Sequence, residues 1–215
     1  MKKINFAVST LILSLTVGMG CAQAFGLSDA LSVAGVGGNN NSSNTTTDPN
    51  IVVHARNSLY SFAKAQTGLV AAFGGYEELA AQQKMLDGMK TGDAAASKDD
   101  IETLVKISKS TGDVINKKIA DNVKLDANNK KLAASSSVEY VKGLISSKKL
   151  ISSIQNASSN PMSLGQNAGA VLYVGKELPG IVSGGVSTTG SLLKYLTANG
   201  VDTSEVKKAA DGLGN

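Results

Sequence analysis

The sequence predicts an all-α protein, a helical bundle of about five to six helices that follows a signal peptide and a flexible linker. In several long segments, apolar residues recur every three to four positions, which is the period of an α-helix. The sequence lacks the alternation of a half-buried strand, and Gly, Pro and Asn separate the helical segments. With 42% hydrophobic and 18% charged residues, its composition is typical of a folded chain.

The N-terminus has the three parts of a secretory signal peptide over residues 1–24. Two lysines precede an uncharged, mostly apolar run, and Ala22-Gln23-Ala24 matches an A-x-A cleavage site. The apolar run, residues 4–17, is shorter than the roughly 20 residues that a transmembrane helix needs. We therefore expect export to the periplasm or the medium, with cleavage after Ala24.

Cys21, the single cysteine of the chain, allows an alternative processing. A cysteine just after the apolar run is the lipid-attachment site of bacterial lipoproteins, although the leucine typical of such sites is absent from residues 18–20. A lipid anchor through Cys21 is therefore the alternative localisation. One cysteine cannot form an intramolecular disulfide, which favours a bacterial cell envelope over a disulfide-bonded secreted domain.

Residues 25–47 are predicted to form a flexible linker rich in Gly, Asn, Ser and Thr. The linker ends in nine consecutive Asn, Ser and Thr residues at positions 39–47, which cannot bury apolar surface. A single helical domain is predicted to follow over residues 48–215, because one domain is the default for a chain of this length.

The domain is predicted to start with two helices joined by a glycine turn. Asp48-Pro49 suits the start of the first helix, since Asp caps a helix and Pro fits its first position. This helix has an apolar face interrupted by Gln66 and ends at Gly74-Gly75. A second helix is predicted from Tyr76 to Lys90.

The third predicted helix has the clearest amphipathic pattern. It starts with a capping box formed by Ser97 and Asp100, and its polar side carries an i,i+4 pair of Glu102 and Lys106. Its buried face is expected to contain Ile101, Leu104, Val105, Ser108, Ile115, Ile119 and Val123.

Further helical segments are predicted in the second half. Residues 127–159 have a weaker helical pattern, which Pro161 ends. Two less charged helices follow, and Pro179 is expected to separate them because proline interrupts the hydrogen bonds of a helix interior. Asn199-Gly200 ends the second of these, and a short helix is expected over Ser204–Ala210.

The segment 162–200 is the least charged part of the domain, and it contains a row of small residues at helical spacing. The row consists of Gly180, Gly184, Ser187 and Ser191. Since small residues let two helix backbones approach closely, we expect this row to form a tight helix contact inside the bundle. The alternatives are a self-associating surface and a membrane-inserting hairpin.

The residue content gives little support for catalysis. His54 is the sole histidine and is predicted to be partly exposed, whereas zinc sites combine several His and Cys ligands. The carboxylate pairs Glu77-Glu78 and Asp99-Asp100 lie in first turns of predicted helices, where negative charge suits the helix dipole. Asp121 and Asp126 form a third candidate pair. We assign no catalytic, cofactor-binding or metal-binding residue and expect no cofactor.

The charge balance argues against a nucleic-acid partner. The formal net charge is only +4, and Arg56 is the single arginine, the residue type that most often contacts phosphates and bases. The sequence thus predicts an exported, non-catalytic helical protein of the bacterial cell envelope that acts through a protein partner or self-association. The alternatives are a membrane-active protein that inserts residues 162–200 as a hairpin and a carboxylate-based hydrolase.

Overall fold

The structure, a computed structural model, describes residues 50–89, 91–92, 95–159 and 161–214. These residues form six α-helices and no strand, which confirms the predicted all-α bundle. The helices are α1 (Ile51–Ala72), α2 (Ala80–Gly88), α3 (Lys98–Ala120), α4 (Ala127–Ser158), α5 (Ala168–Ala198) and α6 (Ser204–Ala210). The predicted signal peptide, the linker, Cys21 and Asp48-Pro49 lie outside the described residues.

The core is built from the long helices α1, α3, α4 and α5. α1 packs along α3 and α4, and α5 packs along the same two helices from the other side. α1 and α5 therefore lie across the core from each other, while α6 packs against α4. Rings of Phe62 and Tyr140 meet at the α1–α4 contact, with their centroids 5.1 Å apart.

Side-chain caps fix the starts of α3 and α4. The backbone N–H of Asp100 donates to Ser97 Oγ (3.1 Å) and that of Ser97 donates to Asp100 Oδ2 (2.9 Å), so the predicted capping box is confirmed. Asp126 caps α4 by accepting a hydrogen bond from the Asn129 backbone N–H at 2.8 Å. In the described part of the chain, Glu102 pairs with Lys98 at 3.1 Å and not with the predicted Lys106.

The predicted face of α3 is buried for most of its length. Ile101, Leu104, Val105, Ser108 and Ile115 are buried, but Ile119 and Val123 are only partly buried. The expectation of full burial was wrong for these two, because Ile119 lies in the last turn of α3 and Val123 beyond its end, at the edge of the core.

Deleting one methyl group from each isoleucine tests this difference. Ile115→Val should lower the free energy of unfolding by about 1–1.5 kcal/mol, because the fully enclosed side chain leaves a cavity. Ile119→Val removes the same methyl group where solvent already reaches and should cost less than about 0.5 kcal/mol. Urea unfolding of both variants measures the two losses, and equal losses would contradict the partial burial of Ile119.

α5 is one helix where two were predicted. It runs from Ala168 to Ala198 with Pro179 inside it, so the expectation that this proline separates two helices was wrong. Leu178, Ile181 and Val182 are buried around the proline, and their packing offsets the roughly 3 kcal/mol that proline costs in a helix interior. A hairpin over residues 162–200 needs two antiparallel helices, and this segment has one helix preceded by a 3-10 segment, Pro161–Asn167.

The row of small residues on α5 is not the predicted tight helix contact. Gly180, Gly184, Ser187 and Ser191 are exposed, and a Cβ atom added at either glycine would have no neighbour within 4 Å. The close approach of α5 to α4 occurs instead at buried Gly185, where an added Cβ would lie 2.3 Å from Leu144 Cδ2. The prediction missed by one residue, which is a rotation of about 100° around the helix.

Candidate binding cleft

A cleft of about 280 Å³ opens between α1, α3, α4 and α5. Gln66 of α1 and Tyr140 of α4 are buried and form its inner end. Lys109 and Asp113 of α3 are exposed and lie at its mouth. The cleft is therefore polar at both ends, with the charged groups confined to the mouth.

Glycines leave the space that the cleft occupies. Gly112 of α3 lines one side, and Gly180, Gly184 and Gly185 of α5 line the other. An added Cβ at Gly112 would lie 3.4 Å from Gln66 Nε2, whereas Gly180 and Gly184 face open space. The two exposed glycines that were predicted to bring helices together instead form a wall of this cleft.

The inner end contains polar groups whose hydrogen-bonding capacity is incompletely used. Gln66 Nε2 donates to the Ser108 carbonyl oxygen at 3.0 Å. Within the described residues, however, Gln66 Oε1, Ser108 Oγ and the nearby Thr111 Oγ1 are buried without a hydrogen-bond partner. Because an unsatisfied buried polar group costs about 1–3 kcal/mol, this cluster is unusual for a packed bundle.

Tyr140 and Thr188 complete the inner wall through hydrogen bonds between helices. The Tyr140 hydroxyl donates to the Gly185 carbonyl oxygen at 3.2 Å, and Thr188 Oγ1 donates to Asn116 Oδ1 at 2.9 Å. Burial raises the pKa of Tyr140 well above its usual value, so the phenol stays neutral at physiological pH. The inner wall therefore presents neutral hydroxyl and amide groups.

An ion pair between Lys109 and Glu177 joins α3 to α5 beside the mouth. A hydrogen bond between the two groups lowers the pKa of Glu177 and raises the pKa of Lys109. Both groups stay charged at physiological pH, so the Lys109 ammonium is already neutralised within the chain. Because the pair faces solvent, it contributes little to stability.

The carboxylates considered from the sequence lie outside the cleft and act locally. Asp100 and Asp126 cap α3 and α4. Glu78 pairs with Lys118 at 2.6 Å, and this hydrogen bond lowers the pKa of Glu78. His54 is partly buried on α1, as predicted. Among the described residues, no three His, Cys, Asp or Glu side chains are grouped so that they could hold a metal ion.

Arg56 is a buried residue whose role the sequence analysis missed. Its side chain is 1% exposed, and its guanidinium donates to the carbonyl oxygens of Gly92 (2.7 Å) and Ala95 (3.1 Å) and to Asn57 Oδ1. It therefore attaches the connection before α3 to α1. The sequence does contain a signal for this burial, because residues four positions apart lie on the same face of a helix. Arg56 follows the apolar Val52 by four residues. Gln66 follows Phe62 by four in the same way, so both polar residues lie on the apolar face.

Comparison with known proteins finds no matching family model, no similar curated protein and no matching solved structure. Over the ranges that the structure describes, no helix is both long and apolar enough to cross a bilayer.

Proposed function

We propose that this chain is an exported, non-catalytic helical protein of the bacterial cell envelope that acts by contacting another protein. It serves as an accessory, assembly or structural factor, with a protein partner or a second copy of itself. Export is supported by the signal-peptide pattern of residues 1–24 and the A-x-A site that ends at Ala24. The contact function is supported by one surface of α5.

The outer face of α5 is a long exposed surface with few charges. We define it by the exposed residues Leu172, Lys176, Gly180, Ser183, Gly184, Val186, Ser187, Gly190, Ser191 and Lys194. Residues 178–193 contain no charged side chain, which leaves about 24 Å of helix without charge. Depletion of charge distinguishes the centre of a protein–protein interface from ordinary surface. This uncharged outer face is the observation that carries the proposal.

Two large apolar side chains are exposed on this face. Leu172 is 47% exposed and Val186 is 42% exposed. Leu132 on α4 is 42% exposed as well, but its face also carries exposed Lys131 and Glu139. Leu132 therefore provides a matched control, an apolar residue of equal exposure on a charged and solvated surface.

Site-specific photocrosslinking tests the proposal. A benzophenone amino acid replaces Val186 in one variant and Leu132 in the other, and both are irradiated in cells that export the protein. We expect a discrete crosslinked product from position 186 and none from position 132. Crosslinking of the purified protein then separates self-association, which gives a dimer, from a different partner. Absence of a product at position 186, or the same products at both positions, would refute the proposal.

The two alternatives have less support than the contact function. The hypothesis that residues 162–200 insert into a membrane as a hairpin requires two helices in this segment. The segment contains one helix, α5. The hypothesis of a carboxylate-based hydrolase requires paired carboxylates in a cleft. Among the described residues that line the cleft, exposed Asp113 is the one carboxylate. The outer face of α5 favours the contact function over both.

A further inference from the structure

We propose that the cleft between α1, α3, α4 and α5 binds a small, neutral molecule rich in hydroxyl groups, of the monosaccharide or polyol class. Nothing in this inference depends on the contact function of α5. It rests on the unsatisfied polar atoms at the inner end, the absence of charge there, and the size and walls of the cleft.

The inner end requires a group that both donates and accepts hydrogen bonds. Gln66 Oε1 can only accept, while the Ser108 hydroxyl can donate and accept, and neither has a hydrogen-bond partner among the described residues. Both side chains line the cleft and are at least 97% buried, at 3% and 2% exposure. Because both oxygens are buried, they reach a ligand hydroxyl only when the two side chains rotate toward the cleft. That hydroxyl then donates to the amide oxygen and accepts from the serine.

The inner wall selects against charged ligands. Its polar groups belong to Gln66, Ser108, Tyr140 and Thr188, which are all neutral. A charged ligand would lose its hydration there without gaining an opposite charge, which is strongly unfavourable. Lys109, whose cationic side chain lines the mouth of the cleft, is already paired with Glu177. A neutral molecule carries no charge whose hydration would be lost on binding.

Size and shape agree with a ligand of this class. A volume of about 280 Å³ holds on the order of nine water molecules. Because covalently bonded atoms lie closer together than neighbouring water molecules, a sugar ring with about a dozen heavy atoms also fits. Ile181 and the glycine wall of Gly180 and Gly184 offer an apolar side on which the C–H face of a sugar ring can pack. Because such a small ligand makes few contacts with the cleft, we expect weak binding, with a dissociation constant on the order of 0.1–1 mM.

Ligand-observed NMR on the full chain tests the proposal with defined probes. D-glucose and glycerol represent the neutral hydroxylated class, whereas D-glucuronate and D-glucosamine carry a negative and a positive charge on the same ring. We expect saturable binding of glucose, at least 10-fold tighter than binding of either charged sugar. Failure of both neutral probes to bind, which would mean that the cleft holds only water, would overturn the proposal. So would equal or tighter binding of a charged sugar.

Two variants locate the binding site. Gly184→Leu places a side chain in the mouth of the cleft, and Gly190→Leu places the same side chain on α5 away from it, where an added Cβ also has no neighbour within 4 Å. We expect Gly184→Leu to weaken glucose binding at least 10-fold and Gly190→Leu to leave it unchanged. Equal affinities would place the bound sugar elsewhere and overturn the assignment.

Ser108→Ala separates a ligand contact from a structural role. Removing an unpartnered buried hydroxyl should leave the melting temperature unchanged or raise it, while glucose binding weakens about 10-fold. A variant that binds glucose as well as the parent would show that this hydroxyl does not contact the ligand and would contradict the proposal. Thermal melting and the NMR titration on the same sample give both values.

Discussion

Arg56→Ala should lower the free energy of unfolding by about 3–5 kcal/mol, because it removes a buried charged donor and leaves a cavity at once. The carbonyl oxygens of Gly92 and Ala95 both lose the guanidinium that donates to them. At about 2–4 °C per kcal/mol for a domain of this size, the melting temperature should fall by about 6 °C or more. Thermal unfolding followed by circular dichroism measures this loss.

Two further variants show whether the guanidinium itself is responsible. Arg56→Lys keeps a positive charge but lacks the planar fork that reaches two carbonyl oxygens, so we expect an intermediate loss. Asn57→Ala removes the 3.0 Å hydrogen bond to Gly92 and also the amide oxygen that accepts from Arg56, but it leaves the guanidinium on the carbonyl oxygens of Gly92 and Ala95. It should therefore cost about 1–2 kcal/mol, less than Arg56→Ala. If Arg56→Ala costs no more than Asn57→Ala, then Arg56 does not hold the connection before α3.

Gly185→Leu should cost about 3 kcal/mol, at or above the upper end of typical overpacking losses. The first added atom would already lie 2.3 Å from Leu144 Cδ2, and Leu144 is itself fully buried, so its side chain can move aside only by displacing other core residues. The matched variant is Gly184→Leu, one residue away in the same helix. It should be neutral or stabilise the protein by up to about 1 kcal/mol, because Gly184 is exposed and leucine favours a helix more than glycine does.

Urea unfolding of the two leucine variants gives the free energy of unfolding that is lost on the inner side of α5, at position 185, and on its outer side, at position 184. A loss at position 184 as large as that at position 185 would mean that the small-residue row is packed inside the molecule, as the sequence suggested. It would also remove the exposed outer face on which the proposed contact function rests.

Features that depend on local sequence were predictable. Helix starts at Ser97 and Asp126 follow from side chains that accept hydrogen bonds from the first turn, although Asp126 was considered only as a candidate carboxylate. The amphipathic pattern likewise located α3, because burial of one helix face repeats every 3.6 residues. These signals act within a few residues and need no knowledge of neighbouring helices.

Features that depend on neighbouring helices were not predictable in the same way. Whether Pro179 ends a helix is decided by the packing of α5 against α3 and α4, which no local rule contains. Whether Gly184 or Gly185 meets α4 depends on a rotation of about 100°, finer than a pattern of small residues can specify. The cleft requires side chains from four helices, so its inner end could not be assembled from spacing along the chain.

Intact-mass measurement shows whether the protein is exported and where its signal peptide is cleaved. Full-length chain is produced in a bacterium, and the protein is recovered separately from cytoplasm, periplasm, membranes and medium. We expect a polypeptide in the periplasm or medium that begins at Phe25, after cleavage behind Ala24. A chain that keeps residues 1–24 and stays in the cytoplasm would contradict export, and an acylated chain that begins at Cys21 in the membrane fraction would contradict the predicted cleavage site.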